Sequence, residues 1–317
     1  MKLSYYSNKR VLVTGGGGFL GANLIRELIK KQAKVSLLVK KSTKPWRLKQ
    51  VIDDIKVYSV DLTNKNKVKD VVRKIKPQVI FHLAAYGSYP AQKKLNQMIK
   101  TNIQGTVNLL EATNKINYQS FVNTGTSSEY GYKKKPMKET DILEPTFDYA
   151  VTKASATLIC QAHAKQFNKP IVTLRPFSIY GDWEEPGRFM PTIITNCLKK
   201  KTIKLVPGKQ ARDFLYVKDM VRAYLLAGMG KNILGEVINV GSSKQSLIFK
   251  VAEKIIKLVG NKVKVKVGAY KPRTWDTCLW VTDRTKAKKL LNWEPKYSLE
   301  DGLKKSIEWY RENLEFY

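Results

Sequence analysis

The sequence predicts an α/β fold, a doubly wound parallel sheet with a smaller C-terminal α+β part. Three observations carry this expectation. Short apolar runs alternate with amphipathic stretches through the first half, joined by short links, which is the rhythm of parallel strands covered by helices. A glycine cluster follows the first apolar run and opens the first amphipathic stretch. After Pro176 the texture changes, with Gly181, Pro186, Gly187, Pro191, Pro207 and Gly208 close together.

In order, residues 10–14 (RVLVT) read as the first strand. Residues 19–32 place Leu20, Leu24, Ile25, Leu28 and Ile29 at helical spacing. Strands follow at 35–39 and 55–60, then a helix at 68–75. Residues 79–83 (VIFHL) read as a buried strand, 95–115 as one long helix and 120–123 as the next strand. A helix at 149–167 and a strand at 171–174 complete the series, and beyond it two amphipathic helices are expected near 246–259 and 299–313.

Composition excludes several classes. The 317 residues are 43% hydrophobic and 10% aromatic, enough for a packed core, so disorder over the whole chain is excluded. No apolar run approaches the ~18 residues of a membrane span. No basic stretch followed by an apolar core opens the chain, so a cytoplasmic protein is expected. Cys160, Cys197 and Cys278 lie far apart, which argues against a disulfide framework and a metal site. The net charge of +32 invites a nucleic-acid reading, but the excess is lysine spread along every segment with no run beyond three. A solvated lysine-rich surface is the simpler account, so no nucleic-acid partner is expected.

Residues 14–21 (TGGGGFLG) follow a strand and open a helix. Gly15, Gly18 and Gly21 satisfy the spacing that lets a backbone turn tightly against a dinucleotide pyrophosphate. An NAD site normally offers an acid at the end of the second strand for the ribose 2′-hydroxyl. Here the chain reads Val39-Lys40-Lys41-Ser42. Two cations match a 2′-phosphate, so NADP(H) is favoured, with NAD(H) still open because lysine is common throughout. Tyr149 and Lys153 stand four apart at a helix start and so share a face. A cation beside a phenol favours tyrosinate and suits it to acid/base work. Thr126, Ser127 and Ser128 follow the strand before it, where a parallel sheet gathers its ligands.

These residues resemble the extended short-chain dehydrogenase/reductases that act on nucleotide sugars, the NAD(P)-dependent epimerase/dehydratase family. The resemblance covers nearly the whole chain: TGGGGFLG at 14–21, Asp61-Leu62, HLAA at 82–85, TNIQGT at 101–106, TSSEYG at 126–131 and YAVTK at 149–153. RPFSIYG at 175–181, RDFLYVKDM at 212–220, INVGS at 238–242 and LLNWEPKYSLEDGL at 290–303 continue it.

The resemblance implies a Rossmann-type dinucleotide domain over 1–175, to which 212–244 returns, and a substrate domain over 176–211 and 245–317. Thr126, Tyr149 and Lys153 would be catalytic. Gly15, Gly18, Phe19, Leu20 and Gly21 would hold the cofactor together with Lys40, Lys41, Asp61, Leu62, Ala84, Ala85, Asn102, Tyr149 and Lys153. Ser127, Ser178, Phe189, Arg212 and Arg273 would meet the substrate, the arginines at its diphosphate. His82 is expected to be a packed strand residue, Cys160 and Cys197 core thiols, and Trp293 a packing anchor.

Dehydratases of the family carry an acid just after the catalytic Thr. Here Ser127 and Ser128 stand there, and Glu129 is expected on the wrong strand face, which disfavours dehydration. The resemblance then implies NADP-dependent reduction, or reversible oxidation, at C4 of a nucleotide-activated hexose or 6-deoxyhexose. The alternative within the family is 4-epimerisation. The intact Thr126/Tyr149/Lys153 set argues against a nucleic-acid-binding protein or a silent dinucleotide sensor on the same fold. A homodimer is expected through helices 95–115 and 149–167, with Leu109, Ala112, Ala156 and Ile159 supplying apolar character.

Overall fold

In a computed structural model, the described residues are 5–43, 45–89, 91–206, 208, 210–230, 233–268 and 278–317. The strands are β1 (Arg10–Thr14), β2 (Lys34–Val39), β3 (Lys56–Ser59), β4 (Val79–His82), β5 (Ser120–Thr124), β6 (Ile171–Pro176), β7 (Ser178–Tyr180), β8 (Ile203–Leu205), β9 (Ala211–Tyr216), β10 (Glu236–Val240), β11 (Gln245–Leu247) and β12 (Val265–Val267). The α-helices are α1 (Phe19–Lys30), α2 (Lys65–Ile75), α3 (Leu95–Met98), α4 (Gly105–Asn114), α5 (Asp148–Gln166), α6 (Phe189–Leu198), α7 (Val217–Ala227), α8 (Ile248–Val259), α9 (Thr285–Leu291) and α10 (Leu299–Glu312).

Seven strands form one sheet in the order β10-β6-β5-β4-β1-β2-β3, every pairing parallel. The inner strands are buried on both faces, as a sheet covered on both sides requires, and the edge strand β3 is largely exposed. Val11 and Val13 pack in the larger cluster with Leu24 and Leu28 of α1 and Val221 of α7. Leu12 points the other way, into a second cluster with Val68, Val72, Leu109, Leu110 and Cys160. Strand order reverses between β1 and β4, and the crevice at their C-terminal ends is where such sheets bind ligands.

Three further strands form a small sheet, β11-β9-β7, and β12 pairs with β8. Here the structure holds more helix than expected. Besides α8 and α10, this half contains α6, α7 and α9. The α6 sequence FMPTIITNCL carries no charge and has too little polar contrast to stand out as amphipathic. Trp293 is buried, its indole N–H donating to the Asp219 carbonyl at 3.0 Å.

The expected single helix at 95–115 is interrupted. Between α3 and α4, residues 99–104 form a π-helical turn, a wider coil that is often found at functional sites. Leu109 and Ala156 are fully buried within the chain, and Ala112 and Ile159 pack against the second core cluster. They therefore fill this chain's own core and do not form an outward face. The apolar residues that do face outward on these helices are Leu95, Ile99, Val151 and Leu158. Among the described residues, no helix is long and apolar enough to cross a membrane, and no cluster of acidic, His or Cys side chains could hold a metal.

Candidate active site

The glycine turn is shaped for close backbone approach. Gly15 has φ +70°, and a Cβ there would lie 2.5 Å from the backbone of Leu83 and Ala84. A Cβ on Gly21 would lie 2.4 Å from the Gly15 carbonyl oxygen. Neither position accepts a side chain without movement. The turn leads into α1, where Gly18 is the N-cap and no side chain caps the first N–H groups. These donors, with the positive end of the helix dipole, fit a dinucleotide pyrophosphate. Phe19 and Leu20 open the helix, partly buried against the core.

Lys40 and Lys41 border a cavity of about 420 Å³, lined also by Ser42, Ser59, Asp61, Asn64 and Lys67. The Lys40 ammonium lies 3.0 Å from the Asp61 carboxylate. Asp61 also accepts from the Thr63 backbone N–H and hydroxyl, both at 2.9 Å. Partial burial pushes the Asp61 carboxyl up, but Thr63 and Lys40 outweigh it and hold it below its usual value. Leu62 is buried, and its carbonyl accepts from Asn108 at 2.8 Å.

At the sheet's reversal point, β4 delivers His82 into a chain of hydrogen bonds. Thr106 donates its hydroxyl proton to the Asn102 carbonyl at 2.6 Å, so its oxygen accepts from His82 Nε2 at 2.9 Å. Nδ1 then accepts from the Thr14 hydroxyl at 2.7 Å, and the Ala84 N–H donates to Thr14 at 3.3 Å. Each polar atom is matched only if the imidazole is neutral. Burial, then Lys153, lowers its pKa to about 3. This sets the loop carrying Ala84 and Ala85, both partly buried, against the glycine turn.

Asn102 sits in the π turn and is fully buried. Its amide clamps Tyr86 by both backbone groups at 2.8 Å and donates to the Thr152 hydroxyl at 2.9 Å. One side chain thus joins the loop after β4 to the first turns of α5, where Tyr149 and Lys153 stand.

Thr126 follows β5 as the N-cap of a short 3₁₀ turn, Ser127–Tyr130. Glu129 is therefore not on a strand at all. It turns inward, fully buried, and accepts from the Thr126 N–H at 2.8 Å and the Thr157 hydroxyl at 3.1 Å. Its other oxygen meets Arg175 Nε at 2.7 Å, and Arg175 also donates to the Tyr130 hydroxyl at 2.8 Å. Burial pushes the Glu129 carboxyl up, against Arg175 and the Thr126 N–H. So engaged, Glu129 underpins the threonine turn.

Lys153 is buried and its pKa is lowered by that burial, with Glu129 opposing. Tyr149 is half-buried and stacks against Phe147. The expectation that Lys153 draws this phenol down is not met. Its surroundings and then Glu129 push the pKa up, and the cation that opposes them is Arg188. Arg188 donates to the Ser88 carbonyl and lies over the Tyr89 ring at 5.4 Å. Beside it, Glu184 is buried with Oε2 unbonded, and burial pushes its carboxyl up to about 8 against Arg188.

Among the residues expected to meet the substrate, Ser178 pairs in register with Phe214 of β9, and Phe189 stacks on Phe214 at 6.0 Å. Arg212, on the same strand, lies 5.7 Å over the Trp280 ring. The Trp280 indole N–H donates to buried Ser127 at 3.1 Å. Arg273 lies outside the described residues. Sequence reasoning missed Lys67, Arg188 and Trp280. None has a spacing signal, since each arrives from a different segment and meets the site only through the fold.

The sequence matches the model of the NAD dependent epimerase/dehydratase family over residues 11–241. It is 32% identical to a UDP-glucuronate 4-epimerase of Thermodesulfobacterium geofontis, covering 96% of this chain and 97% of that protein. An epimerase structure from Methanothermobacter thermautotrophicus superposes with a TM-score of 0.90 at 27% identity, covering 99% of this chain and 95% of the other. A Bacillus cereus UDP-glucuronic acid 4-epimerase, solved with UDP-glucuronic acid and NAD, gives a TM-score of 0.84 at 30% identity, covering 96% and 99%.

Proposed function

The chain belongs to the NAD-dependent epimerase/dehydratase family and is a nucleotide-sugar enzyme of the extended short-chain dehydrogenase/reductase type, and from that premise we propose that it carries out NADP-dependent reduction, or the reverse oxidation, at C4 of a nucleotide-linked hexose or 6-deoxyhexose. The observation that carries this reading is the lysine-bordered cavity at the end of β2, where Lys40, Lys41 and Lys67 surround space suited to a ribose 2′-phosphate. An NADP-dependent enzyme that exchanges its cofactor runs as a reductase or dehydrogenase.

When bound, the nicotinamide supplies or takes up hydride at C4. The chain's own residues do the rest. Gly15, Gly18 and Gly21 bring the backbone to the pyrophosphate, and Phe19, Leu20, Asp61, Leu62, Ala84 and Ala85 line the dinucleotide. Asn102 fixes the start of α5. Tyr149 holds the proton that goes to the O4 oxygen, with Thr126 as hydrogen-bond partner of that oxygen. Arg188 is the cation that favours tyrosinate after the proton has left, and Lys153, one turn further along α5, is assigned to the dinucleotide. Ser127, Ser178, Phe189, Arg212 and Arg273 receive the sugar nucleotide, the arginines at its diphosphate.

We divide the labour between 1–175 with 212–244 for the dinucleotide and 176–211 with 245–317 for the substrate. β10 in the large sheet supports the return, although β9 pairs in the small sheet and places its start nearer Val217. A homodimer in the cytoplasm completes the reading, supported by outward Leu95, Ile99, Val151 and Leu158, each 42–55% exposed.

The second reading is 4-epimerisation with retained NAD(H). The Lys40–Asp61 pair favours it, because it engages one of the cations offered to a 2′-phosphate. The test is to incubate the purified protein with NADPH or NADH and a panel of 4-keto nucleotide sugars, following loss of reduced nicotinamide. Turnover with NADPH supports reduction. In a parallel incubation with the 4-hydroxy nucleotide sugars and no added reduced nicotinamide, interconversion of 4-epimers supports the second reading.

A further inference from the structure

Arg47 lies in a 3₁₀ turn, Trp46–Val51, between β2 and β3, far in sequence from its hydrogen-bond partners. It is 4% exposed. Its Nε donates to the Trp183 carbonyl at 2.7 Å. One terminal nitrogen reaches the Gly17 carbonyl at 3.4 Å, and the other pairs with the Glu185 carboxylate at 2.5 Å. Its guanidinium stacks on Trp46 at 4.2 Å, and Trp46 packs on Trp183 at 5.9 Å. Pro45, next to this turn, sits over Gly17 so closely that a Cβ there would meet it at 3.3 Å. A buried cation thus joins the middle of the glycine turn to residues 183–185. That segment runs directly into Arg188, which donates to Ser88, and Phe189, which stacks on Phe214. The Trp183 backbone is held at φ +67°, which an unanchored residue of this size rarely adopts.

We propose that Arg47 is a positioning residue that couples the two halves of the site, so that occupation of the glycine turn raises affinity for the nucleoside diphosphate of the substrate, and the reverse. The proposal rests on the reading above, in which the turn takes a dinucleotide and the Arg188–Phe189 segment faces the sugar nucleotide. Arg47 and Glu185 are the strap: the guanidinium holds Gly17 in place from beneath and fixes where the 183–189 segment begins. By linkage, the two affinities must change by the same factor.

The experiment measures UDP binding by calorimetry with and without saturating NADP⁺, and NADP⁺ binding with and without saturating UDP. Wild type is compared with Glu185→Gln and Arg47→Lys. Glu185 is partly exposed and its amide is isosteric with the carboxylate, so this variant should keep the fold. Wild type should show reciprocal tightening of about fivefold or more, the lower end of ordinary coupling. Both variants should still bind each ligand, with the coupling factor reduced to within about twofold of one. Glu185→Gln removes the countercharge of a buried guanidinium but keeps an oxygen that accepts from it, so thermal unfolding should fall to a lower temperature while the variant stays folded at the assay temperature. Absence of coupling in wild type, or full coupling in both variants, would overturn the proposal. Failure of wild type to bind both NADP⁺ and NAD⁺, or to bind any of UDP, dTDP, GDP and CDP, would instead sink the dinucleotide and sugar-nucleotide reading itself.

Discussion

Replacing Arg175 by Met should cost stability in a way that depends on pH. Arg175 and Glu129 are 3% and 0% exposed, 2.7 Å apart. Removing the arginine leaves Glu129 with the Thr126 N–H and the Thr157 hydroxyl but without its directly bonded countercharge, the cation that remains being Lys153, which acts at longer range. A buried carboxylate in that position neutralises instead of bearing the full desolvation cost. At pH 7, protonating a carboxyl of ordinary pKa about 4.3 costs about 3.7 kcal/mol, at about 1.36 kcal/mol per unit. Loss of the Arg175–Tyr130 hydrogen bond adds about 1 kcal/mol. The total is about 4–5 kcal/mol at pH 7, within the range for breaking a buried pair.

The sign follows from linkage. In the variant the folded pKa of Glu129 lies well above its unfolded value, so above about pH 4.3 the folded chain binds the extra proton and loses stability as pH rises. At pH 5 the same sum is about 2 kcal/mol. Urea unfolding of wild type and variant at pH 5 and pH 7 measures both. The reasoning fails if the deficit at pH 7 is below about 1 kcal/mol or does not shrink at pH 5. The double variant Glu129→Leu/Arg175→Met should recover much of the loss, because no charge is left unpaired.

Other outcomes follow from the same site. His82, with its pKa lowered to about 3 by burial, should stay neutral between pH 5 and 8 in a nitrogen NMR titration, and at pH 5 it should cost about 2 kcal/mol that His82→Gln removes, since only the unfolded chain protonates below about 6.5. An imidazole titrating near 6.5 would refute this. Lys40→Ala/Lys41→Ala should weaken NADP(H) by about one to two powers of ten and NAD(H) little, read by titration; equal loss of both would assign the lysines to the general surface. Val151→Asp/Leu158→Asp should turn a dimer into a monomer by light scattering with thermal stability nearly kept, and a variant that stays dimeric would exclude this face.

The parallel sheet was legible because its inner strands are apolar runs buried on both faces and separated by helices with clear stripes, as in Val11–Val13 and in Leu24 and Leu28. The glycine turn was legible because backbone crowding at Gly15 and Gly21 admits one residue type. The two small sheets were not, since four of their five strands, β7, β8, β11 and β12, have three residues each and too little length for a period to show. Glu129 was misplaced because a 3₁₀ turn breaks the alternation that a strand would have imposed. The inward and outward apolar residues of helices α4 and α5 were confused because helical spacing cannot tell which of two apolar faces meets the sheet. Arg188, Trp280 and Arg47 gain meaning only from contacts that join segments 100 residues or more apart.

The central claim is oxidoreduction at C4 with Tyr149 as the proton-holding group. Its most direct test uses NADPH deuterated at nicotinamide C4 and a nucleotide-linked 4-keto-6-deoxyhexose, with the product read by NMR and mass spectrometry. Wild type should place one deuterium at sugar C4, and Tyr149→Phe should do so at least about 10²-fold more slowly while binding NADPH normally. Product without deuterium at C4, or an unimpaired Tyr149→Phe enzyme, would contradict the account.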